Sequence, residues 1–470
     1  MYDYDVICIG GGPGGSACAM RCADRGLKAA IVEARARNGS GGTCVNRGCI
    51  PTKALLASAD LYAAIKGAGA YGIELDMSAV SVDFKAVNRR KNTVVNNLGF
   101  GLEAFLWKKS RGIDVVKGRA RLLDAHSLEV DNGREKRRLT AGHIVLATGS
   151  EPDVPAAFNA DGEKIFTTDE AMDFSRPLPG SVVVIGSGAA GLEYAHIYNA
   201  FGAAVTVVEQ RPALVPELEE PEISAALRAS LEKRGVCVKC GSGVLAVERL
   251  EDGRVRTRLE DGQELVSEAV LAAAGRRPNT EGLGLEQAGV RLTEDGRVVT
   301  DAQLRSTVPN IFAAGDITAG PQLSGKAQRQ GLVIAETIAG RACAMDYGSI
   351  PSTVFMRPEL AWLGLTASQA AERGIGTLCG SLPYSSNERA IAEGRTEGLI
   401  KVVARASDHV LIGAQIFGEG ACGLIAELAA AVGNSLTLEQ LYNCVHPHPT
   451  LSELILEACK RAVGLSFDKG

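Results

Sequence analysis

The sequence has little of what marks membrane, secreted or nucleic-acid-binding proteins. Its 470 residues contain no apolar run near the ~18 residues that cross a bilayer. The opening Met1-Tyr2-Asp3 lacks the basic segment of a signal peptide. Lysine and arginine number 50 against 55 acidic residues, a net charge of −5. Because no basic excess exists, we expect no nucleic acid and no membrane as partner, and a cytoplasmic location.

Aromatic residues are also few, at 5%, whereas glycine is abundant, at 55 residues. Hydrophobic residues make up 46% and charged residues 22%, which is typical of packed globular proteins. The length exceeds one ordinary domain. We therefore predict two to four packed domains with many tight glycine turns.

One glycine turn lies at the N-terminus. The apolar run Val6 to Ile9 ends in Gly10, Gly12 and Gly15, and an alanine-rich stretch and a second apolar run lead to Glu33. In such a segment the first glycine permits a tight turn, the second admits a pyrophosphate and the third allows helix and strand to pack. The helix N-terminus supplies amides to the phosphates, and the acid accepts hydrogen bonds from ribose. The segment predicts a dinucleotide site.

The same pattern returns in mid-chain with Gly186, Gly188, Gly191 and Glu209. The first glycine and the acid are 23 positions apart in both copies, from 10 to 33 and from 186 to 209. Two copies predict two nucleotide-binding domains of similar construction. Since the Glu209 carboxylate would repel a 2′-phosphate, NAD is favoured over NADP, although Arg211 lies close by.

Most of the 12 cysteines are expected to be plain core residues, because a chain without a secretion signal rarely carries a disulfide framework. The exceptions are Cys44 and Cys49. Five steps of a regular helix rise ~7.5 Å, beyond the ~7 Å over which a disulfide can join Cα atoms. A bridge therefore requires an irregular turn, to which Gly48 and Pro51 are suited.

Lys53 follows Cys49 by four positions, so the ammonium and the helix N-terminus would both lower a thiol pKa. The segment predicts a redox pair. Two unpaired cysteines and a zinc site are the alternatives, although no second pair of ligands with metal spacing accompanies it.

A candidate acid–base element follows near the C-terminus, in His446-Pro447-His448-Pro449-Thr450 and the residues up to Glu453. Thiol exchange requires a base with a pKa near neutrality, which imidazole supplies. Glu453 would orient the His448 ring, or would form a capping box with Thr450, or both. His446 is expected to be structural.

In chain order the motifs GGGPGG, GGTCVNRGCIPTK, ATG, GSGAAG, AAGD and HPHPTLSE resemble those of the FAD-dependent pyridine nucleotide-disulfide oxidoreductases. This family includes enzymes that act on dihydrolipoamide, glutathione disulfide and mercuric ion. The resemblance covers nearly the whole chain and implies an α/β fold with two Rossmann-like dinucleotide-binding domains and a C-terminal α+β dimerisation domain. The implied ranges are 1–150 and 281–348 for FAD, 151–280 for NAD and 349–470 for the interface.

The resemblance also implies roles for single residues. Cys44 exchanges with substrate, Cys49 faces the flavin, and Lys53 lies near it. Glu193 matches the ion-pair partner of that lysine, with a solvated helix surface as the alternative, and Asp316 matches the residue that binds the ribityl hydroxyls. His448 matches the catalytic histidine, Glu453 its partner. Further cofactor contacts are implied for Gly42, Thr43, Thr148, Gly149, Gly275 and Gly315.

Within the family the features favour oxidation of protein-bound dihydrolipoamide to lipoamide with reduction of NAD. His448 and the absence of a cysteine pair in the residues from Ala462 to Gly470 disfavour mercuric reductases. Glu209 disfavours NADP-dependent glutathione reductases. The expected partners are a lipoyl-bearing protein, either an acyltransferase core or a glycine-cleavage carrier, and a second copy of the chain in a homodimer.

Two departures from the family pattern keep an alternative open. Leu323-Ser324-Gly325-Lys326-Ala327-Gln328-Arg329-Gln330 replaces a commoner Leu-Ala-His-Lys-Ala followed by acidic residues, and Met356-Arg357 precedes Pro358-Glu359 where relatives carry Thr-x. The alternative is a related enzyme, similar to glutathione or mercuric reductase, that acts on another dithiol or disulfide. An alternative from a different class of function is a flavin-binding subunit that does not turn over a substrate.

Overall fold

Apolar segments in which polar and apolar residues do not alternate form buried parallel strands in this protein. The structure is a computed structural model, and it describes residues 1–34, 40–106 and 113–465. The last five residues of the predicted tail lie outside that description. The chain divides into unit 1, which is Met1–Ala54, Lys85–Asp153 and Gly275–Met345, and unit 2, which is Leu55–Phe84, Val154–Ala274 and Asp346–Gly470. No helix within the described residues combines the length and apolarity needed to span a bilayer.

The strands are β1 (Tyr4–Ile9), β2 (Ala29–Glu33), β3 (Ile113–Lys117), β4 (Arg119–Leu122), β5 (Ser127–Asp131), β6 (Lys136–Leu146), β7 (Ser150–Pro152), β8 (Ile165–Thr167), β9 (Ser181–Ile185), β10 (Ala204–Glu209), β11 (Cys237–Cys240), β12 (Val244–Arg249), β13 (Val255–Leu259), β14 (Glu264–Ser267), β15 (Ala269–Ala272), β16 (Arg276–Pro278), β17 (Ile311–Ala313), β18 (Ser352–Val354), β19 (Glu359–Gly364), β20 (Thr377–Pro383), β21 (Leu399–Arg405) and β22 (Leu411–Gly418). The helices are α1 (Pro13–Asp24), α2 (Gly42–Arg47), α3 (Cys49–Lys66), α4 (Phe84–Leu106), α5 (Thr168–Ala171), α6 (Ala189–Ala200), α7 (Pro221–Lys233), α8 (Ser324–Ile338), α9 (Ala367–Glu372), α10 (Glu388–Ala392), α11 (Ala421–Gly433), α12 (Leu438–Tyr442) and α13 (Glu453–Ala462).

Unit 1 is built on one sheet with the order β3-β2-β1-β6-β5-β4, and β17 pairs with β6 on the same sheet. The pairs β1–β2, β2–β3, β1–β6 and β17–β6 are parallel, whereas β4–β5 and β5–β6 are antiparallel. Val6, Ile7 and Cys8 are fully buried, because both faces of β1 are covered. Since parallel strands end at one edge, the turn after β1 and the end of β17 lie along the same edge of the sheet.

Unit 2 contains a second parallel sheet with the order β11-β10-β9-β15-β8. Residues 182–185 of β9 are almost completely buried, as are residues 6–9 of β1. An antiparallel sheet of β12, β13 and β14 follows within the same stretch of chain. This part of the chain therefore repeats the strand, glycine turn and helix of the N-terminal segment, as the spacing predicts.

The C-terminal part of unit 2 is an antiparallel sheet with the order β18-β19-β22-β21-β20. Its buried side chains, such as Ile400 and Ile416, form one core with Ile425 and Leu428 of α11 and Ile455 of α13. Strands and helices thus segregate as in an α+β domain. The predicted α/β fold with two Rossmann-like segments and a C-terminal α+β part is confirmed.

Candidate functional site

The first glycine turn lies between β1 and α1 of unit 1. A Cβ on Gly10, whose φ is +110°, would lie 2.2 Å from the Ala147 carbonyl oxygen, and a Cβ on Gly15 would lie 2.0 Å from the Gly10 oxygen. A Cβ on Gly12 would meet no described atom closer than the Gly42 Cα, at 3.8 Å. The first and third glycines therefore serve backbone packing, whereas the second leaves open space at the start of α1.

This open space has the character of a phosphate site. No side chain among the described residues caps the first turn of α1, so its amides face outward as an anion would require. Gly42 approaches from α2, with φ of +60° and a hypothetical Cβ only 2.7 Å from the Gly12 Cα, and Thr43 follows it. The two turns leave room for a ligand that approaches the backbone of Gly12.

Glu33 closes this turn from the end of β2. Its Oε2 accepts a hydrogen bond of 2.9 Å from the Gly11 amide, and the residue is 8% exposed. Burial raises the pKa of Glu33, and the Gly11 hydrogen bond acts in the opposite direction. The carboxylate is thus held at the glycine turn, and its contact with a ribose stays a prediction.

The second glycine turn, between β9 and α6 of unit 2, repeats this geometry. A Cβ on Gly186, at φ +103°, would lie 2.4 Å from the Ala273 oxygen, and one on Gly191 would lie 2.0 Å from the Gly186 oxygen. No described atom lies within 4 Å of a Cβ built on Gly188. The same division of roles among three glycines therefore holds in both copies.

Glu209, at the end of β10, is 7% exposed and is fixed by three donors. Its Oε2 accepts from the Ser187 amide at 3.0 Å and the Ser187 hydroxyl at 2.7 Å, and its Oε1 accepts from the Arg211 amide at 2.9 Å. Because each carboxylate oxygen can accept two hydrogen bonds, Oε1 retains capacity for a sugar hydroxyl. The fixed carboxylate is consistent with the expected preference for NAD.

The two cysteines of the redox segment lie on either side of a break in the helix. Cys44 lies in α2, which ends at Arg47, and Cys49 begins α3. Between them Gly48 has φ of −143° and ψ of −109°, far from helical values. The predicted irregular turn is therefore present, and it brings the two sulfur atoms into hydrogen-bond contact.

The thiol pair carries a perturbed pKa. A hydrogen bond from the Cys49 thiol is the largest cause, and it outweighs the burial that opposes it. The Ser324 hydroxyl and the Lys53 charge act in the same direction, and together they lower the pKa of Cys44 from 9.0 to about 6. Because the two thiols interact, this lowered pKa is a property of the pair and not of Cys44 alone.

The segment that departs from the family pattern lies beside this pair. Ser324 begins α8 and contacts Cys44, whereas the fully buried Gln330 accepts a 2.7 Å hydrogen bond from the Gly315 amide and donates at 3.0 Å to the Thr318 hydroxyl. Burial lowers the pKa of Lys326 to about 8. Gln330 thus braces the turn that carries Asp316.

The other residues implied to contact FAD cluster at the same edge of unit 1. The Thr148 hydroxyl donates to the Asn279 carbonyl oxygen at 2.6 Å, and Asp316 Oδ2 accepts a hydrogen bond of 2.6 Å from the Ser150 hydroxyl. Left-handed or otherwise positive φ angles occur at Gly149 (+71°), Gly275 (+157°) and Gly315 (+82°), conformations that favour glycine.

Glu193 lies on α6 of unit 2 and is 4% exposed. Its Oε1 accepts a hydrogen bond of 3.0 Å from the Phe355 amide. The alternative of a solvated helix surface is therefore wrong, because a carboxylate that is this deeply buried requires specific partners.

His448 and Glu453 form a hydrogen-bonded pair in unit 2. His448 Nδ1 lies 3.0 Å from Glu453 Oε1, and Glu453 Oε2 accepts a 2.9 Å hydrogen bond from the Thr450 amide. Glu388 Oε2 lies 3.6 Å from the same Nδ1 atom. Since both carboxylates face Nδ1, they favour the tautomer in which Nδ1 carries the proton and Nε2 acts as base.

The carboxylates also shift the titration of the imidazole. The hydrogen bond and charge of Glu453 raise the pKa of His448, and Glu388 contributes in the same direction. Burial raises the pKa of Glu453, but the hydrogen bonds from Thr450 and His448 outweigh it and the net shift is downward. The pair therefore stabilises an imidazolium.

Only half of the predicted capping box is present, namely the hydrogen bond from the Thr450 amide to Glu453 Oε2. Helix α13 begins at Glu453 with Ser452 as N-cap, so Glu453 is one position after the cap instead of three. The Thr450 hydroxyl donates to the Pro447 carbonyl oxygen instead. His446 contacts Glu427 Oε1 through Nε2 at 3.0 Å and the Cys444 carbonyl oxygen through Nδ1, which fits its expected structural role.

The sequence did not mark Ser150, Arg276 and Glu388 as site residues. It marked Ser324 and Gln330 only as members of the segment that departs from the family pattern. Ser150 directly follows the ATG motif, and Ser324 and Gln330 belong to the departing segment, so position relative to a motif was the available signal. No local signal marks Glu388, which lies 60 positions before His448.

Known proteins resemble this chain along its whole length. The family model described as pyridine nucleotide-disulphide oxidoreductase matches residues 4–331, and the one described as its dimerisation domain matches residues 350–459. The dihydrolipoyl dehydrogenase of Geobacillus stearothermophilus is 38% identical over 464 residues, 98% of this chain and 97% of that protein. The dihydrolipoyl dehydrogenase of Halobacterium salinarum is 35% identical over 466 residues, which are 98% of this chain and 96% of that protein.

Two solved structures are similar in fold. LpdA from Mycobacterium tuberculosis superposes with a TM-score of 0.90 at 28% identity, covering 97% of this chain and 99% of that one. The HOCl-induced flavoprotein disulfide reductase RclA from Escherichia coli gives a TM-score of 0.85 at 27% identity, and the match covers 97% of this chain and 99% of that one.

Proposed function

Because this chain belongs to the pyridine nucleotide-disulphide oxidoreductases, a family that uses FAD and NAD, we propose that it oxidises protein-bound dihydrolipoamide to lipoamide and reduces NAD. The proposed partner is a lipoyl-bearing protein, an acyltransferase core or a glycine-cleavage carrier, in the cytoplasm. The proposed assembly is a homodimer in which His448 of one subunit serves the cysteine pair of the other, supported by the dimerisation-domain match to residues 350–459.

The residues of unit 1 fit FAD, and those of the second glycine turn fit NAD. The open backbone at Gly12 and the uncapped start of α1 suit one pyrophosphate, with Glu33 at the ribose and Asp316 at the ribityl chain. Gly188 and Glu209 offer the equivalent groups to NAD. Bound FAD would supply the two-electron transfer between the reduced cysteine pair and the nicotinamide.

The exchange chemistry follows from the side chains. His448 Nε2 removes a proton from one thiol of dihydrolipoamide, and the resulting thiolate attacks Sγ of Cys44 in the Cys44–Cys49 disulfide. The disulfide breaks, Cys49 leaves as a thiolate and a mixed disulfide forms. The sulfur of the second substrate thiol then attacks the substrate sulfur of the mixed disulfide and releases cyclic lipoamide, and Cys44 leaves as a thiol that takes up the proton of that second thiol. The substrate loses two electrons and the cysteine pair gains them.

One observation carries this proposal, the helix break at Gly48 that places Cys44 and Cys49 in contact and lowers the pKa of Cys44 to about 6. A good leaving thiolate speeds exchange, because leaving groups of lower pKa depart faster. Such a pair has no use in a protein that only binds flavin.

The test is a substrate panel with the purified holoenzyme. Nicotinamide absorbance gives the rate of each reaction. The panel contains dihydrolipoamide with NAD, and glutathione disulfide and other low-molecular-weight disulfides with NADH and with NADPH. We expect dihydrolipoamide with NAD to give a kcat/KM at least about 100-fold above every other pair. NADH formation that is undetectable with dihydrolipoamide, alongside turnover of another disulfide, would support the related-reductase alternative.

The pH dependence tests the two carboxylates at His448. A base acts only when unprotonated, so kcat/KM rises with pH through the pKa of His448. Because Glu388 and Glu453 both raise that pKa, their replacement by glutamine moves the midpoint to lower pH. We expect a small shift for Glu388→Gln, since exposed charge pairs are weak, and a larger shift for Glu453→Gln, because Glu453 is the largest cause of the raised pKa.

Glu457→Gln is the matched control, because Glu457 lies on α13 but pairs with Lys460 at 2.8 Å. Its profile should coincide with that of the wild type. A midpoint that stays in place or rises in Glu388→Gln contradicts the assigned role of that carboxylate.

A further inference from the structure

We propose that Ser150 and Arg276 are positioning residues that fix the Asp316 carboxylate and thereby set the affinity for FAD. This inference rests on the proposed function, in which Asp316 binds the ribityl chain. It concerns residues of unit 1 that act through another residue without being expected to touch the flavin themselves.

The three side chains form a continuous chain of hydrogen bonds. The Ser150 hydroxyl donates to Asp316 Oδ2 at 2.6 Å, and Arg276 Nε donates to the Ser150 Oγ at 2.8 Å. Arg276 Nη2 also donates to the Ser150 carbonyl oxygen at 2.9 Å. Two contacts from one guanidinium to one residue fix the relative orientation of both.

The direction of these hydrogen bonds is forced by chemistry. A guanidinium can only donate, and a serine hydroxyl has a single proton. Because Arg276 already donates to the Ser150 oxygen, that oxygen must direct its own proton elsewhere, and the acceptor in reach is Asp316 Oδ2. Arg276 thus selects the rotamer of the Ser150 O–H bond.

Burial makes this arrangement rigid. Ser150 is fully buried, so water cannot replace either partner of its hydroxyl. With Oδ2 fixed by Ser150, the plane of the Asp316 carboxylate is fixed, and so is the direction of Oδ1. A fixed acceptor costs less ordering entropy when a ligand hydroxyl binds, which raises affinity.

Strand pairing explains why Arg276 and not its neighbour has this role. Strands β7 and β16 pair antiparallel, with Arg276 opposite Pro152 and Arg277 opposite Glu151. Successive side chains of a strand point to opposite faces. Arg277 therefore pairs with Glu151 at 2.7 Å on the exposed face, where 56% of its side chain is accessible, while Arg276 turns to Ser150.

The experiment measures the dissociation constant of FAD by titrating apoprotein and following the quenching of flavin fluorescence. Ser150→Ala should weaken FAD binding about ten-fold, since it removes the donor of a buried charged hydrogen bond. Arg276→Met should weaken it less, because the hydroxyl remains but its orientation is lost, and Arg276→Lys should recover part of the loss. Arg277→Gln is the matched control and should bind as the wild type does.

A double-mutant cycle separates positioning from general destabilisation. In an Asp316→Ala background, Ser150→Ala should change the dissociation constant by less than about two-fold, because the group it positions is gone. An equal loss in both backgrounds would overturn the inference, as would an unchanged affinity in Ser150→Ala. Ser150→Ala should lower the thermal midpoint of the apoprotein less than that of the holoprotein. A purely structural role would lower both midpoints equally.

The same experiment distinguishes the two proposals. Wild-type protein that binds no FAD would refute the proposed function itself. Wild-type protein that binds FAD tightly, together with a Ser150→Ala variant that binds equally well, would refute only the positioning role.

Discussion

Replacing Cys49 with serine is expected to lower the rate of NAD reduction by dihydrolipoamide at least about 1,000-fold, the scale seen when a nucleophile that acts as part of a unit is removed. The oxidised enzyme needs the Cys44–Cys49 disulfide as its electron acceptor, and a hydroxyl cannot form one. The measurement is nicotinamide absorbance under saturating dihydrolipoamide and NAD.

Two further measurements show where the loss occurs. Oxidation of NADH by an artificial one-electron acceptor such as ferricyanide should be retained in Cys49→Ser, because it does not require the thiol pair. Cys237→Ser is the matched control, since Cys237 is exposed on β11 and no role is expected of it. Normal dihydrolipoamide turnover in Cys49→Ser would make the exchange mechanism untenable.

Replacing His448 with glutamine should lower kcat/KM for dihydrolipoamide by about 10²–10⁴-fold at neutral pH, the usual contribution of a general base. Glutamine keeps a polar side chain of similar reach but cannot accept the substrate proton. The loss should diminish as pH rises toward the pKa of the substrate thiols, because hydroxide then forms the thiolate without help. A pH profile from neutral to alkaline conditions measures this recovery.

His446→Gln is the matched variant for this prediction. His446 is held by Glu427 and the Cys444 carbonyl oxygen, so its replacement should lower thermal stability while activity stays within about three-fold. An equal loss of activity in both variants would mean that activity depends on the structure of the segment from His446 to Thr450 and not on the His448 imidazole as a base.

The same variants test the proposed homodimer. Mixed dimers of Cys49→Ser and His448→Gln subunits contain one site with both native groups if each site draws its histidine from the other subunit. Random mixing makes about half of the dimers mixed, so about a quarter of wild-type activity should return. No recovery, with mixed dimers demonstrated, would place both groups in the same subunit.

Local sequence rules were sufficient where a function depends on neighbouring residues. The two glycine turns follow from the backbone angles and close contacts that Gly10, Gly15, Gly186 and Gly191 alone tolerate. The break at Gly48 followed from the reach of a disulfide compared with the rise of a helix. A local rule was half right at the predicted capping box, where the Thr450 amide donates to Glu453 but the Thr450 hydroxyl donates to the Pro447 carbonyl oxygen. The start of α13 at Glu453 depends on hydrogen bonds of the preceding segment, which spacing does not encode.

The amino-acid sequence by itself thus indicated the two glycine turns, the close approach of Cys44 and Cys49 and the pairing of His448 with Glu453, since each depends on contacts within a few residues, whereas the fold class followed from the family resemblance of the motifs. Only the tertiary structure decided which distant side chains complete these elements. Ser150 lies 126 positions from Arg276 and 166 from Asp316, and Glu388 of α10 reaches His448, which lies in the segment before α13. Such meetings depend on strand register and on which face of a strand each side chain takes, and these are set by the packing of whole sheets.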